Sequence, residues 1–388
     1  MIAFVAGCSS SQPQAHRPTV TTTPPPPTVA PSTPSHAPVP HRPRVPVLKP
    51  PSDRRLLTLV KTIGGPISPK SVGVSRRGLV FAQNMMYRHT VTVYGRDGRL
   101  VKTIPDTVHL SAYGIEGHPG ISNGAPVEVA FDPDGRYAYV SNYSMYGAGF
   151  GPEGSDVCTP ESAAAGGVSP SFVYRIGLRS LRVDAVYPVG RVPKYVAVTP
   201  DRKFLLVSNW CSYTVSLVRL STGREVKQVY VGPYPRGIVV SPDSRTAYVG
   251  VMGSTTVAAL DLRSLRVKRS IPVGEGPRQL VLDPRGRFLY VTLNGEASVV
   301  KVDRRTGDIV DRVVTGRDPR SMAIAPDGRA LYVVNYYSDT VSVLRTSDLS
   351  LVQTVSTDDN PIGITYNRWG NRVWVALYSG QILVFDAR

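Results

Sequence analysis

Five basic side chains recur at one position of this sequence, and they are its strongest chemical signal. Lys70, Lys194, Arg236, Arg278 and Arg320 each follow a proline. Cations brought together in this way repel one another unless they are paired, screened or occupied by an anion. Glu128, Glu275, Asp318 and Asp359 lie close by in sequence and are available to pair with some of them. Two readings stand side by side: an anion or acidic-partner site, or repeat residues that are solvated and locally paired. Aromatic and imidazole groups mark the neighbouring segments, namely His109, His118, Tyr143, Trp210 and Tyr336, with Tyr87, His89, Tyr113, Tyr146 and Tyr337 beside them. Tyrosine-rich rims suit carbohydrate or protein contact, although tyrosines at strand ends also serve as packing.

Signals for catalysis are thinner. No Walker loop, dinucleotide glycine fingerprint, serine-nucleophile elbow or zinc motif is present. No histidine follows His118, so a histidine-dependent centre assembled from the whole chain is not expected. Three cysteines exclude a four-cysteine zinc site. The residues therefore point to binding, with no catalytic residue, cofactor or metal expected.

The elements that position these residues come from a repeat. Pro193, Pro235, Pro277, Pro319 and Pro361 are 42 residues apart, and each opens a similar phrase, as in PRGIVVSPDSRTAYVG and PRSMAIAPDGRALYVVN. Earlier copies begin at Pro126 and Pro69, displaced by insertions within 107–125 and 143–170. Seven repeats fill residues 56–388. Each reads as four short strands, the first closed by a turn of the Pro133-Asp134-Gly135 type. Four strands at this period predict an all-β, seven-bladed propeller of four-stranded blades. The last repeat stops after its third strand, and Leu57–Gly65 has the pattern of an orphan fourth strand. Pairing the N-terminal strand with the C-terminal blade would close the ring and remove an exposed edge. Both insertions then fall on one face. Cys158 in the second insertion and Cys211 in the next blade come close enough for a disulfide, the alternative being two free thiols.

Ahead of the repeats, residues 9–55 are rich in Pro, Thr and Ser, with 14 of the chain's 35 prolines between 12 and 52. Such a stretch cannot bury enough apolar surface to offset its ordering entropy and reads as a disordered spacer. The chain as a whole is 41% hydrophobic, which excludes wholesale disorder. No run approaches the roughly 18 apolar residues of a membrane-spanning helix.

Tyr139-Val-Ser-Asn142, Leu206-Val-Ser-Asn209 and Tyr332-Val-Val-Asn335, each after a Pro-Asp turn, resemble the YVTN family of β-propeller repeats. The asparagine is replaced by Val251, Leu293 and Leu377 in repeats four, five and seven. Residues 1–8 end in Val5-Ala6-Gly7-Cys8, which resembles a bacterial lipobox with Cys8 as the acylated residue; a stray terminal cysteine is the alternative. The resulting expectation is a monomeric, exported, lipid-anchored and non-catalytic propeller at the cell envelope. Its decorated face and basic channel mouth would bind a protein or an anionic envelope component. Two other readings are a propeller enzyme of lactonase or lyase type using the central channel, and a nucleic-acid-binding propeller. The net charge of +17 favours nucleic acid. Arginines such as Arg182, Arg266 and Arg269, spread over successive outer strands, disfavour it.

Overall fold

The computed structural model describes residues 56–151, 158 and 168–387. The lipobox-like segment, the spacer and most of the second insertion lie outside the described residues. Seven antiparallel sheets are present, and their innermost strands pack in cyclic order, with the strand of repeat one against those of repeats two and seven. This is the expected seven-bladed propeller.

Blade four shows why these residues form these strands. Its strands are Pro235–Val240, Thr246–Val251, Thr256–Asp261 and Arg266–Pro272, running outward from the channel. The second strand, Thr-Ala-Tyr-Val-Gly-Val, is buried from Ala247 onward on both faces because neighbouring blades cover both. β-branched and aromatic residues suit such a two-sided surface. The outermost strand exposes Arg266, Lys268 and Arg269 and buries only Ile271, as a sheet edge facing water requires.

The repeated asparagine has a physical task. Its amide nitrogen donates to two hydroxyls of the third strand: Asn209 to Thr214 and Ser216 at 3.1 and 2.8 Å, and Asn335 to Thr340 and Ser342 at 3.0 and 2.9 Å. Asn84 plays the same part with Thr90 and Thr92 in blade one. Where Val251, Leu293 and Leu377 stand instead, the position is equally buried and is filled by apolar packing.

Closure follows the expected route. Thr58–Ile63 pairs antiparallel with Gln381–Asp386, from Thr58 opposite Asp386 to Ile63 opposite Ile382. The Gln353 amide of blade six clamps this strand's entry, accepting from the Leu57 N–H at 2.7 Å and donating to the Leu57 carbonyl at 3.1 Å. Blade two departs from the four-strand plan. Thr107–Val108, in the first insertion, adds a fifth strand beside Ser122–Phe131, followed by a short 3-10 turn at Leu110–Tyr113. The cysteines of the second insertion and blade three are joined as a Cys158–Cys211 disulfide, with Cα atoms 4.9 Å apart.

Candidate functional site

The innermost strands of blades three to six begin with the proline and the basic residue, and Pro69-Lys70 directly precedes Ser71–Val74 in blade one, so Lys70, Lys194, Arg236, Arg278 and Arg320 form one layer at the decorated end of the channel. Blades two and seven contribute Val127 and Ile362 to the same layer, both buried. The layer is not a solvated mouth. Arg236 and Arg278 are 6% and 7% exposed, and Lys70 and Arg320 are partly buried. Arg278 donates from Nε to the Arg320 carbonyl at 3.2 Å and from a guanidinium NH to Met252 Sδ at 3.7 Å. Arg320 pairs with the Asp318 carboxylate at 2.7 Å.

The aromatic residues beside this layer act as platforms for its cations. Lys194 Nζ lies 3.7 Å from the Tyr143 ring centre and 5.2 Å from that of Trp210. Arg320 lies 3.4 Å above Tyr336. Tyr143, Trp210 and Tyr336 therefore belong to the site, through cation–π contact. His109 and His118 do not. His109 is exposed and borders a side cavity with Lys102 and Tyr113, while His118 stacks on Phe150 at 4.0 Å and contacts the Ala148 carbonyl.

Beneath the cations lies a girdle of polar residues one position further along the strands: Ser71, Glu128, Tyr195, Gln279 and Ser321. They head a channel cavity of about 500 Å³ whose walls continue through Val, Ala and Ile to Phe131, Pro200 and Tyr366 on the turn face. Gln279 donates to the Tyr195 hydroxyl at 2.9 Å, and the Ser71 hydroxyl bonds the Gln83 amide oxygen at 2.6 Å. The expected channel opening among the basic residues is thus displaced: the cations cap the channel, and the space lies under them.

Charge in this cap is out of balance. Burial, then Arg236 and Arg278, push the Lys70 ammonium well below its ordinary range, with Glu128 opposing and Arg320 adding to the effect. Burial also works against the charge on Arg278, followed by Arg236 and Arg320. Glu128 is raised by burial and held back by Lys70 and Arg236. Burial raises the Tyr195 phenol to about 12. Burial thus moves the carboxyl of Glu128 up and the ammonium of Lys70 down, while the attraction between the opposite charges works against both shifts.

Sequence reasoning located the basic layer and, of the girdle, singled out Glu128 alone. The signal was available, because the position after the basic one is polar in five of the seven repeats, at Ser71, Glu128, Tyr195, Gln279 and Ser321, and glycine in the other two.

The Cytochrome D1 heme domain family model matches residues 279–364, which run from the girdle residue of blade five to the channel strand of blade seven. No curated relative matches the chain. A solved chain from Kuenenia stuttgartiensis hydrazine synthase superposes with a TM-score of 0.64 at 19% identity, covering 83% of this chain and 96% of that one. At this identity the likeness establishes the β-propeller fold. The family match, to a haem domain, overturns the expectation of a non-catalytic scaffold, and with it the ranking of catalysis below binding.

The matched family's name implies a haem group. The channel's described lining contains no histidine and no cysteine, and among the described residues no group of three or more His, Cys, Asp or Glu could hold a metal ion. The described residues do not fit a histidine-ligated haem. What this chain shares with the superposed chain is the β-propeller fold.

Proposed function

We propose that this propeller is an enzyme of lactonase or lyase type, working in its central channel on a small anionic substrate. The observation that carries the reading is the cap of cations, Arg236 and Arg278 buried among them, over a channel whose described lining holds the one carboxylate Glu128. An anion entering beneath Arg236 and Arg278 relieves their mutual repulsion, and the low-dielectric walls strengthen the attraction. Glu128, with its raised proton affinity, is the group to give and take a proton there. Tyr195 and Gln279 supply oriented hydrogen bonds, and the apolar walls below exclude competing water.

Calorimetric titration of the full chain with citrate, pyruvate and phosphate tests this reading. At least one anion should bind, because its charge relieves the mutual repulsion of Arg236 and Arg278. A double variant, Arg236→Met with Arg278→Met, should lose ten-fold or more in affinity. Absence of binding by all three anions, or an unchanged double variant, would overturn the reading.

A haem group is the second reading, favoured by the family match over 279–364 and disfavoured by the missing histidine ligand. Haemin added to the full chain should leave its Soret band unshifted; a saturable shift at one equivalent would establish the second reading instead.

We further infer that the repeats belong to the YVTN group and that the protein is exported and anchored through Cys8. The asparagine pins at 84, 209 and 335 support the first inference, and a disulfide suited to an oxidising compartment supports the second. Intact mass of the native membrane fraction should show a chain beginning at an acylated Cys8.

A further inference from the structure

Loop charge divides the two ends of the ring. The turns that join first to second strands and third to fourth strands hold sixteen Arg and Lys against nine Asp. Among the described residues, the loops of the decorated end hold three Arg and Lys against eight Asp and Glu. On the turn face the positive charge is least compensated where blades seven, one and two meet. Trp369, 39% exposed in the turn between Asn367 and Arg372, donates from its indole to the Arg76 carbonyl at 2.8 Å, and the Arg96 guanidinium lies 3.7 Å from the ring centre. Arg96 donates to the Arg77 carbonyl at 2.8 and 3.0 Å, and Arg76 donates to the Pro133 carbonyl at 3.3 Å. These guanidinium groups bond neutral carbonyls, so their charge is not cancelled. Beside them a cavity of about 400 Å³ is lined by Arg77, Arg136, Arg179, Tyr137 and Ser180 together with two glycines. Asp134 pairs with Arg136 at 3.0 Å but is shared with Arg202, and among the described residues neither Arg77 nor Arg179 has a carboxylate within ion-pair distance. The chain joins the ring at this same end, because Thr58 lies opposite Asp386 and Asp386 opposite Arg372; 55 residues precede the described part.

We propose that this turn face is a docking surface for the anionic headgroups of a phospholipid bilayer. Guanidinium groups held on one face of a rigid ring meet a negative surface together, and each adds to the attraction within a Debye length of it. The acidic loops at the other end are repelled by the same surface, so the charge division also sets which end approaches. The cavity between Arg77, Arg136 and Arg179 suits a headgroup phosphate, which arginine forks bind through paired hydrogen bonds. An exposed indole flanked by arginines is the kind of group that settles at headgroup depth, with its ring against acyl chains and its cations among phosphates. Nucleic acid offers phosphates too, and the entering chain favours the bilayer over it. With an acyl group at Cys8, the segment before residue 56 tethers the ring by its turn face. That last point rests on the anchoring reading above; the charge, the cavity and the indole do not.

Vesicle co-sedimentation of the full chain carrying Cys8→Ser, which removes the acylation site, tests the surface alone. Vesicles of phosphatidylglycerol with phosphatidylcholine should bind it about ten-fold more tightly than phosphatidylcholine alone, and salt should weaken the binding. Arg77→Glu, Arg136→Glu and Arg179→Glu together should reduce that affinity by about ten-fold or more. The same change of charge at Lys102, Lys227 and Lys268, exposed on outer strands, should weaken it far less. Anionic vesicles with brominated acyl chains should quench the indole fluorescence, and Trp369→Phe should remove that quenching. Equal losses in the two triple variants, or quenching that survives without Trp369, would overturn the turn face as the contact. Absence of vesicle binding, or tighter binding to duplex DNA than to the anionic vesicles at the same salt, would overturn the bilayer as the partner. Neither result touches the anchoring reading, which the mass of the native chain decides separately.

Discussion

Asp106 closes the outer strand of blade one and is 3% exposed, with its Oδ2 atom lacking a hydrogen-bond partner. Burial alone raises its carboxyl well above the ordinary carboxylate range. The native state therefore binds the proton more tightly than the unfolded chain does, and stability falls as pH rises from about 4 toward the raised value. Asp106→Asn removes the titration while keeping the shape. The variant should melt at or above the wild-type temperature at pH 8, and its melting temperature should change less between pH 5 and pH 8; thermal melts at both pH values decide. Lys70 has the opposite linkage. Its folded proton affinity is depressed, so the unfolded chain binds more protons between the lowered value and about 10.4, and stability rises with pH across that window. Lys70→Met should flatten the rise, an effect visible in urea denaturation between pH 7 and pH 10. Neither environment could be read from the sequence. The basic layer was legible because a period repeats it, whereas Asp106 is buried beside Gly124 and Asn142 of blade two and follows no period.

The blade is the element on which the sequence speaks most clearly, and Asn335 shows why. One side chain joins the second strand to Thr340 and Ser342 of the third, and the pattern repeats at Asn84 and Asn209, so residue type, spacing and structural task coincide. Asn335→Ala leaves two buried hydroxyls without that donor and should cost about 1–3 kcal/mol in chemical denaturation. Asn335→Leu should cost less, because blades five and seven already place Leu293 and Leu377 at this site with full burial. Insertions were harder to read, since nothing in the repeat dictates how they fold. Their cysteines were an exception. Cys158 and Cys211 are 53 residues apart in sequence, and their crosslink ties the second insertion to blade three, reinforced by the Tyr213 hydroxyl donating to the Cys158 carbonyl at 3.0 Å. Loop-closure entropy sets an upper bound of about 4 kcal/mol for a loop of that length. Cys211→Ser should lower the melting temperature by up to that equivalent and speed proteolysis of the second insertion, measured against wild type with and without reductant.

For the whole molecule the decisive contact is between the two ends of the ring. A seven-bladed ring has no free sheet edge inside it only while every blade packs on both neighbours, and blade seven owes its outer strand to Thr58–Ile63. That strand is exposed over most of its length, so it contributes little core: Leu59 and Val60 are 51% and 45% exposed, and Ile63 alone is buried. Its contribution is the ladder to Gln381–Asp386, which otherwise presents unpaired backbone groups along the apolar run Ile382–Phe385. Two outcomes are separable on this basis. Replacing Ile63 with Ala trims a buried side chain without opening the ladder, and should lower stability by about 2–5 kcal/mol while leaving the chain monomeric. Deleting residues 56–65 removes the ladder itself and should produce concentration-dependent association through the bared strand, seen by light scattering before any loss of sheet signal. A deletion that stays monomeric and unfolds as cooperatively as wild type would mean that the ring holds its shape by blade packing alone. The channel cap points to the same dependence. Lys70 of blade one lies between Val127 and Ile362, and Ile362 belongs to the blade that the N-terminal strand completes. Opening the ring should therefore weaken anion binding together with stability, whereas the Ile63 variant should lose stability and keep the site.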